Sequence, residues 1–305
     1  VSAAPPPIKP DRPARGLRSL LGRSAIATPA APLVPASRSV AQTPAAIPPS
    51  SPLPIEQPAW GDHLWGAGLA TPGGAEAIMR LAALLPLSPA TTLLLVGRGA
   101  TAAGNIVAEA RGAWVAAHDT EAEPTPPPPP TIGRREPPQR VEAAKWTPIA
   151  PSFRQGRQNH ALLLEPFRDG AAPPRLLPAV AAALRPGAQI VLFDLVARDG
   201  AAIDPGHSRW LRMERRGSPP SERAAVAAFS AAGFQTHVVQ DEGAAHAAAV
   251  LQAWSKLLRT LSDSPSRPTR LQAAALVAEA EAWLLRLRLI ESGALRLLRW
   301  HGSLR

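Results

Sequence analysis

Residues 91–119 read TTLLLVGRGATAAGNIVAEARGAWVAAHD, and this stretch constrains the fold more than any other. "TTLLLVG" is a continuous apolar run of strand length, the pattern of a parallel strand buried on both faces. Gly97 and Gly99 follow it. Residues 102–111 then read as a helix with Ile106, Val107 and Ala110 turned inward, and "GAWVAAHD" reads as a second strand closed by Asp119. Strand, glycine turn, helix, strand is a βαβ unit, the building block of a doubly wound sheet.

The rest of the chain repeats the alternation. Upstream, "WGDHLWGAGLATPGGAEAIMRLAALLPLSPA" runs from a Gly/Trp loop into a helix, with Thr71 as its cap, Pro72 in its first turn and Ile78, Leu81, Ala82, Leu84 and Leu85 on its apolar face. Downstream, "RVEAAKWTP" and "NHALLLEPF" are strands. "PPRLLPAVAAALRPG" is a helix with Pro178 near its first turn and Gly187 as its stop. "AQIVLFDLV" is a strand, "SERAAVAAFSAAGF" a helix capped by Ser221 and stopped by Gly233, and "QTHVVQD" a strand. Two helices, 243–262 and 268–290, precede a last strand, "GALRLLRWHG". Strands alternating with helices mean α/β with a mostly parallel sheet.

Two stretches break the pattern. Residues 1–58 are Ala, Pro and Ser with scattered Arg, a composition that cannot bury enough apolar area to offset ordering entropy, so a disordered tail is expected there. Within the domain expected over 59–303, a Pro-rich insertion at 120–140 stands where a crossover helix belongs, and its five consecutive prolines exclude a helix.

The chain of 305 residues carries 37 prolines, no cysteine and a net charge of +10. The absence of cysteine excludes disulfides and thiolate metal sites. The arginine excess is scattered and not interleaved with aromatics, so a solvated surface is expected and no nucleic-acid partner. No apolar run reaches the roughly 18 residues of a membrane span, and no apolar signal core follows the basic residues of the N-terminus; a cytoplasmic protein is expected. His207, His237, His246 and His301 show no ligand spacing, so no metal is expected.

In open α/β sheets the ligand binds at the carboxyl ends of the strands, where strand order reverses. Gly97 and Gly99 remove side chains there, and Asp119 ends the next strand 20 residues after Gly99, the place from which a carboxylate accepts ribose hydroxyls. Gly97, Gly99 and Ala102 also satisfy a dinucleotide fingerprint, so the loop alone leaves a nicotinamide or flavin enzyme open, beside a plain packing turn with a surface aspartate.

Over about residues 60–302 the sequence resembles class I S-adenosylmethionine-dependent methyltransferases, and within them a bacterial methyltransferase-type-11-like group. "LLLVGRGAT" lies along the glycine motif, "LRPGAQIVLFDLV" along the turn and fifth strand, "FSAAGFQTHVVQD" along the helix–A-G-F–strand segment, and "WGAGLATPGG", "HAAAVLQAW" and "AEAWLLRLRLIESGALRLLRWH" along the group's opening and end. The resemblance implies a seven-stranded Rossmann-like sheet whose last strand enters antiparallel beside the sixth. It implies S-adenosylmethionine as cofactor and a small-molecule acceptor. It places Gly97, Arg98, Gly99 and Asp119 on the cofactor, with Trp65 closing over it.

The chain departs from the family at four points. Leu95 replaces the acid that orients the loop, Thr101 replaces the third glycine, no acid follows the third strand near 145–148, and the insertion replaces a helix. Two readings of function therefore stand side by side: methyl transfer to a small molecule, and a catalytically degenerate binding or scaffold module. A nicotinamide-dependent oxidoreductase is a third, disfavoured because the chain has no tyrosine for a Tyr-x-x-x-Lys pair. Methyl transfer needs alignment more than a nucleophile or metal. If a general base helps, Glu165 after the fourth strand is the candidate, better placed than His160. Trp146 could stack on adenine, and Asp194 is read as a turn cap.

Overall fold

Seven strands form one sheet in the order β3-β2-β1-β4-β5-β7-β6. They are β1 (Thr92–Gly97), β2 (Trp114–Asp119), β3 (Val141–Lys145), β4 (Gln158–Leu164), β5 (Leu184–Ala197), β6 (Phe234–Asp241) and β7 (Leu295–Leu304). All neighbours are parallel except β7, which runs antiparallel to both β5 and β6. The computed structural model describes residues 60–121, 139–200 and 205–305. The expected tail at 1–58 and nearly all of the 120–140 insertion lie outside the described residues.

The helices are α1 (Trp60–Trp65), α2 (Gly74–Ala82), α3 (Ala100–Arg111), α4 (Pro173–Ala183), α5 (Pro205–Glu214), α6 (Glu222–Ala231), α7 (Gly243–Asp263) and α8 (Arg270–Glu291). Alternation along the strands splits the core into two layers. Leu93, Leu95, Leu162, Leu164, Val191 and Phe193 pack against α2, α3, α7 and α8. Leu94, Val96, Ala161, Leu163, Ile190 and Leu192 pack against α4 and α6. Because α3 and α4 lie on opposite faces, strand order reverses between β1 and β4, and a crevice opens at the carboxyl ends of those strands. Among the described residues no helix is long and apolar enough to cross a membrane.

Several local expectations are corrected. Thr71 does not cap α2. The helix begins at Gly74, its N-cap is Gly73 in the left-handed region at φ 87°, and the Thr71 carbonyl instead closes a turn onto the Gly74 amide. Pro178 lies inside α4 rather than near its first turn. Gly187 is not the stop of that helix, because α4 ends at Ala183 and β5 starts at Leu184, with a register shift between β4 and β5 around Gln158 and His160. Helices α1 and α5 were not expected; "PGHSRWLRME" has one short apolar stripe, and Trp210 from it is fully buried. Ser221 does cap α6, accepting from the Ala224 amide at 3.2 Å.

Candidate functional site

The glycine turn between β1 and α3 is shaped by contacts within the chain. At Gly97 (φ 139°) a Cβ would land on the Leu164 carbonyl oxygen of the neighbouring β4, so only glycine lets β1 and β4 close at the switch point. Gly99 (φ 74°) is the N-cap of α3, and a Cβ there would lie 2.7 Å from the Gly68 carbonyl oxygen. The backbone of 68–70 therefore rests directly on the turn. Asp62 fixes that segment by accepting from the Gly68 amide at 2.7 Å, and buried Leu69 anchors it in the core.

Asp119 is buried at the end of β2 and reaches back across the turn. One carboxylate oxygen accepts from the Gly99 amide at 2.7 Å, the other from the Glu121 amide at 3.0 Å. Arg98, between the glycines, pairs with Glu121, and its Nε is buried with no hydrogen-bond partner. Leu95 is fully buried in the core layer beneath. Thr101 lies in the first turn of α3, half-buried. Beside Asp119, the Trp146 amide meets the Asp119 carbonyl at 3.4 Å. Its indole packs near Phe153, which in turn meets the His118 ring edge-on, and the indole Nε1 and His118 Nδ1 are buried without partners.

The carboxyl ends of β4 and β5 are occupied differently. Glu165 follows β4 in a left-handed conformation (φ 45°), held there by its amide donating to the Phe193 carbonyl at 2.7 Å. Its carboxylate is gripped by Arg286 of α8 through both guanidinium ends, and by Arg216 at 3.0 Å. Arg216 also reaches Asp194 at 3.4 Å, and Glu214 lies between Arg168 at 3.3 Å and Arg286 at 3.4 Å. Three arginines thus meet three acids in the buried interior. The faces of Trp210 and Trp283 each carry a guanidinium 5.1 Å away.

Burial alone would raise the Glu165 carboxyl, but Arg286, Arg216 and Arg168 outweigh it and hold it well below the carboxylate range. Burial pushes Asp194 up to about 7, against the pull of Arg216. Burial lowers His246 of α7 to about 3, reinforced by Arg286, whose Nε donates to His246 Nε2 at 3.1 Å. That bond leaves the imidazole neutral, with its proton on Nδ1.

The sequence-predicted residues thus fall into two groups. Gly97, Arg98, Gly99 and Asp119 come together at the turn. Trp65 ends α1, just before the 66–71 segment that rests on the turn, and packs edge-on against Trp283 at 5.0 Å. His160 is buried within β4, where its Nδ1 accepts from the Gln189 amide at 3.3 Å. Asp194 is not a turn cap. It is fully buried within β5, where it accepts from the Phe167 amide at 2.6 Å and the Leu195 amide at 2.7 Å. Arg216, Arg286, Glu214 and the role of His246 were missed. One trace was legible: Arg286 sits on the same face of α8 as buried Trp283 and Leu289, where an apolar residue belongs.

No family model matches the sequence, and no curated protein matches it. Solved structures do. A phosphoethanolamine N-methyltransferase 2 from Haemonchus contortus, bound to phosphomonomethylethanolamine and S-adenosylhomocysteine, superposes with a TM-score of 0.64 at 12% identity, over 80% of this chain. The chain spans 56% of that longer protein. The chain has the class I methyltransferase fold. A geranyl diphosphate C-methyltransferase from Streptomyces coelicolor A3(2) matches with a TM-score of 0.53 at 12% identity, over 75% of this chain and 80% of its own. A cyclopropane synthase from Mycobacterium tuberculosis matches with a TM-score of 0.55 at 15% identity, over 75% and 83%.

Proposed function

We propose that the chain binds S-adenosylmethionine across the carboxyl ends of β1 and β2 and transfers its methyl group to a small molecule. The observation that carries this reading is the meeting of Asp119 with the Gly99 amide at the switch point of a methyltransferase sheet. The donor set suits the cofactor: Asp119 for the ribose hydroxyls, the unpartnered Nε of Arg98 for the methionine carboxylate, and the unpartnered indole of Trp146 beside the adenine. Trp65 would close over the site through the 66–71 segment that rests on the turn. When bound, the cofactor would supply an electrophilic methyl group, with Asp119 holding its ribose and Arg98 its carboxylate.

The chain contributes alignment and the exclusion of water rather than proton transfer. Glu165, the candidate base, has its carboxylate spent on Arg286 and Arg216, and in this reading it anchors α8 over the site. Equilibrium dialysis with labelled S-adenosylmethionine, with NADH as control, tests the reading. Saturable retention of the sulfonium alone is expected; tighter retention of NADH would move the chain to the oxidoreductases.

A second reading, a non-catalytic relative serving as a binding module, is favoured by one observation. The face of Gly99 that would meet a ligand is already met by the backbone of 68–70. No retention of either ligand at millimolar concentration would favour it.

A further inference from the structure

A cleft of about 570 Å³ lies between α2 and α7. Its size falls in the range of small-molecule sites, roughly 300–1,000 Å³. It shares no residue with the 97–99 turn, although Trp65, which the proposed function closes over the cofactor, is common to both sites. One wall is Trp65 and the Gly73–Ala77 run of α2, and the other is α7, lined by Ala245, Ala249 and Ala253. Its buried lining includes Phe193 and His246. Both touch the buried ion network, Phe193 through the Glu165 amide and His246 through Arg286. The cleft therefore runs from the surface to the carboxyl ends of β4 and β5.

Charge decides what it would take. Glu242 lines the cleft but is buried and doubly compensated, by Arg80 at 2.9 Å and Arg299 at 2.8 Å. His246 is neutral, because its Nε2 accepts from an arginine. The remaining charged residues, Glu76 and Lys256, are exposed, as is Arg80. A charged ligand pushed against the buried lining would lose its hydration and meet no free counter-charge. Alanines line both walls, beside the aromatic side chains of Trp65 and Phe193.

We propose that this cleft binds an uncharged, predominantly apolar molecule, which on the reading given under Proposed function is the methyl acceptor. The site itself stands on the cleft's walls and charges; only the word acceptor rests on that reading.

Two fluorescent probes with one aromatic skeleton test it on the full chain: N-phenyl-1-naphthylamine, which is uncharged, and 8-anilinonaphthalene-1-sulfonate, which adds a sulfonate. The uncharged probe is expected to bind saturably. Ala249→Trp, and independently Ala245→Trp, should weaken it about tenfold or more by filling the cleft. The sulfonate should bind more weakly and ignore both substitutions. Loss of saturation, indifference of the uncharged probe to both substitutions, or preferred binding of the sulfonate in a cleft-dependent way would overturn the inference. Dialysis of S-adenosylmethionine against the same wild-type protein separates the two proposals. Probe binding without cofactor binding keeps the cleft and removes the methyl transfer, and the reverse removes the cleft alone.

Discussion

Asp119 and Glu165 are both acids closing parallel strands, β2 and β4, on either side of β1. Their surroundings differ. Asp119 is satisfied by two backbone amides within 20 residues, and unpartnered polar atoms remain on Arg98, His118 and Trp146 nearby. Glu165 is satisfied by side chains 51 and 121 residues away, and it sits in a network of six ionisable residues. The first arrangement leaves polar capacity for a ligand. The second uses its capacity internally and ties α8 and the segment after α5 to the sheet. On the proposed reading, the fold offers one edge for binding and braces the next.

Substitutions that strike the brace should have the largest effect. Arg286→Met removes one of the three arginines that Glu165 and Glu214 share, leaving Arg168 and Arg216 beside both acids in a buried site, and should cost about 3–5 kcal/mol; urea unfolding measures it, and a loss under about 1 kcal/mol would mean the network is solvated. Next come the turn glycines. Gly99→Ala at φ 74° meets the Gly68 carbonyl and should cost about 1–3 kcal/mol, with the 66–71 segment loosening before the rest unfolds. Hydrogen exchange at the Leu69 amide reads that loosening.

The brace also predicts a pH effect. The folded value of His246 is lowered from 6.5 to about 3. A depressed folded value means the contribution to stability is complete above the unfolded 6.5 and is lost as pH falls toward the folded value. The ¹⁵N shifts of the ring should stay those of a neutral Nδ1–H tautomer from about pH 8 to 5; a titration midpoint near the ordinary histidine value would show that the Arg286 bond does not persist. The smallest effect belongs to the exposed pair at the turn: Glu121→Gln should change stability by less than about 1 kcal/mol, because Glu121 is mostly solvated.

Much of this was legible in the sequence, for identifiable reasons. β1, β4 and β5 announce themselves as continuous apolar runs because both their faces are covered. The Gly97–Asp119 turn is legible because its contacts are local. Helix starts were misread where a left-handed glycine, Gly73, replaced a side-chain cap. Helix α5 was missed because it presents only His207, Trp210 and Glu214 inward. The ion network was hidden because each of its arginines looks like surface charge until α8 and β4 are brought together, and only the place of Arg286 on a buried stripe betrays it.

On the proposed function, the turn held by Asp119 is a working cofactor site. Calorimetric titration of S-adenosylhomocysteine into the wild-type chain and into Asp119→Ala tests it most directly. The expected result is saturable binding to the wild type and an affinity at least about a hundredfold lower in the variant, which loses two charge-assisted hydrogen bonds. Equal affinity in the two proteins, or no heat from either at millimolar ligand, would contradict it.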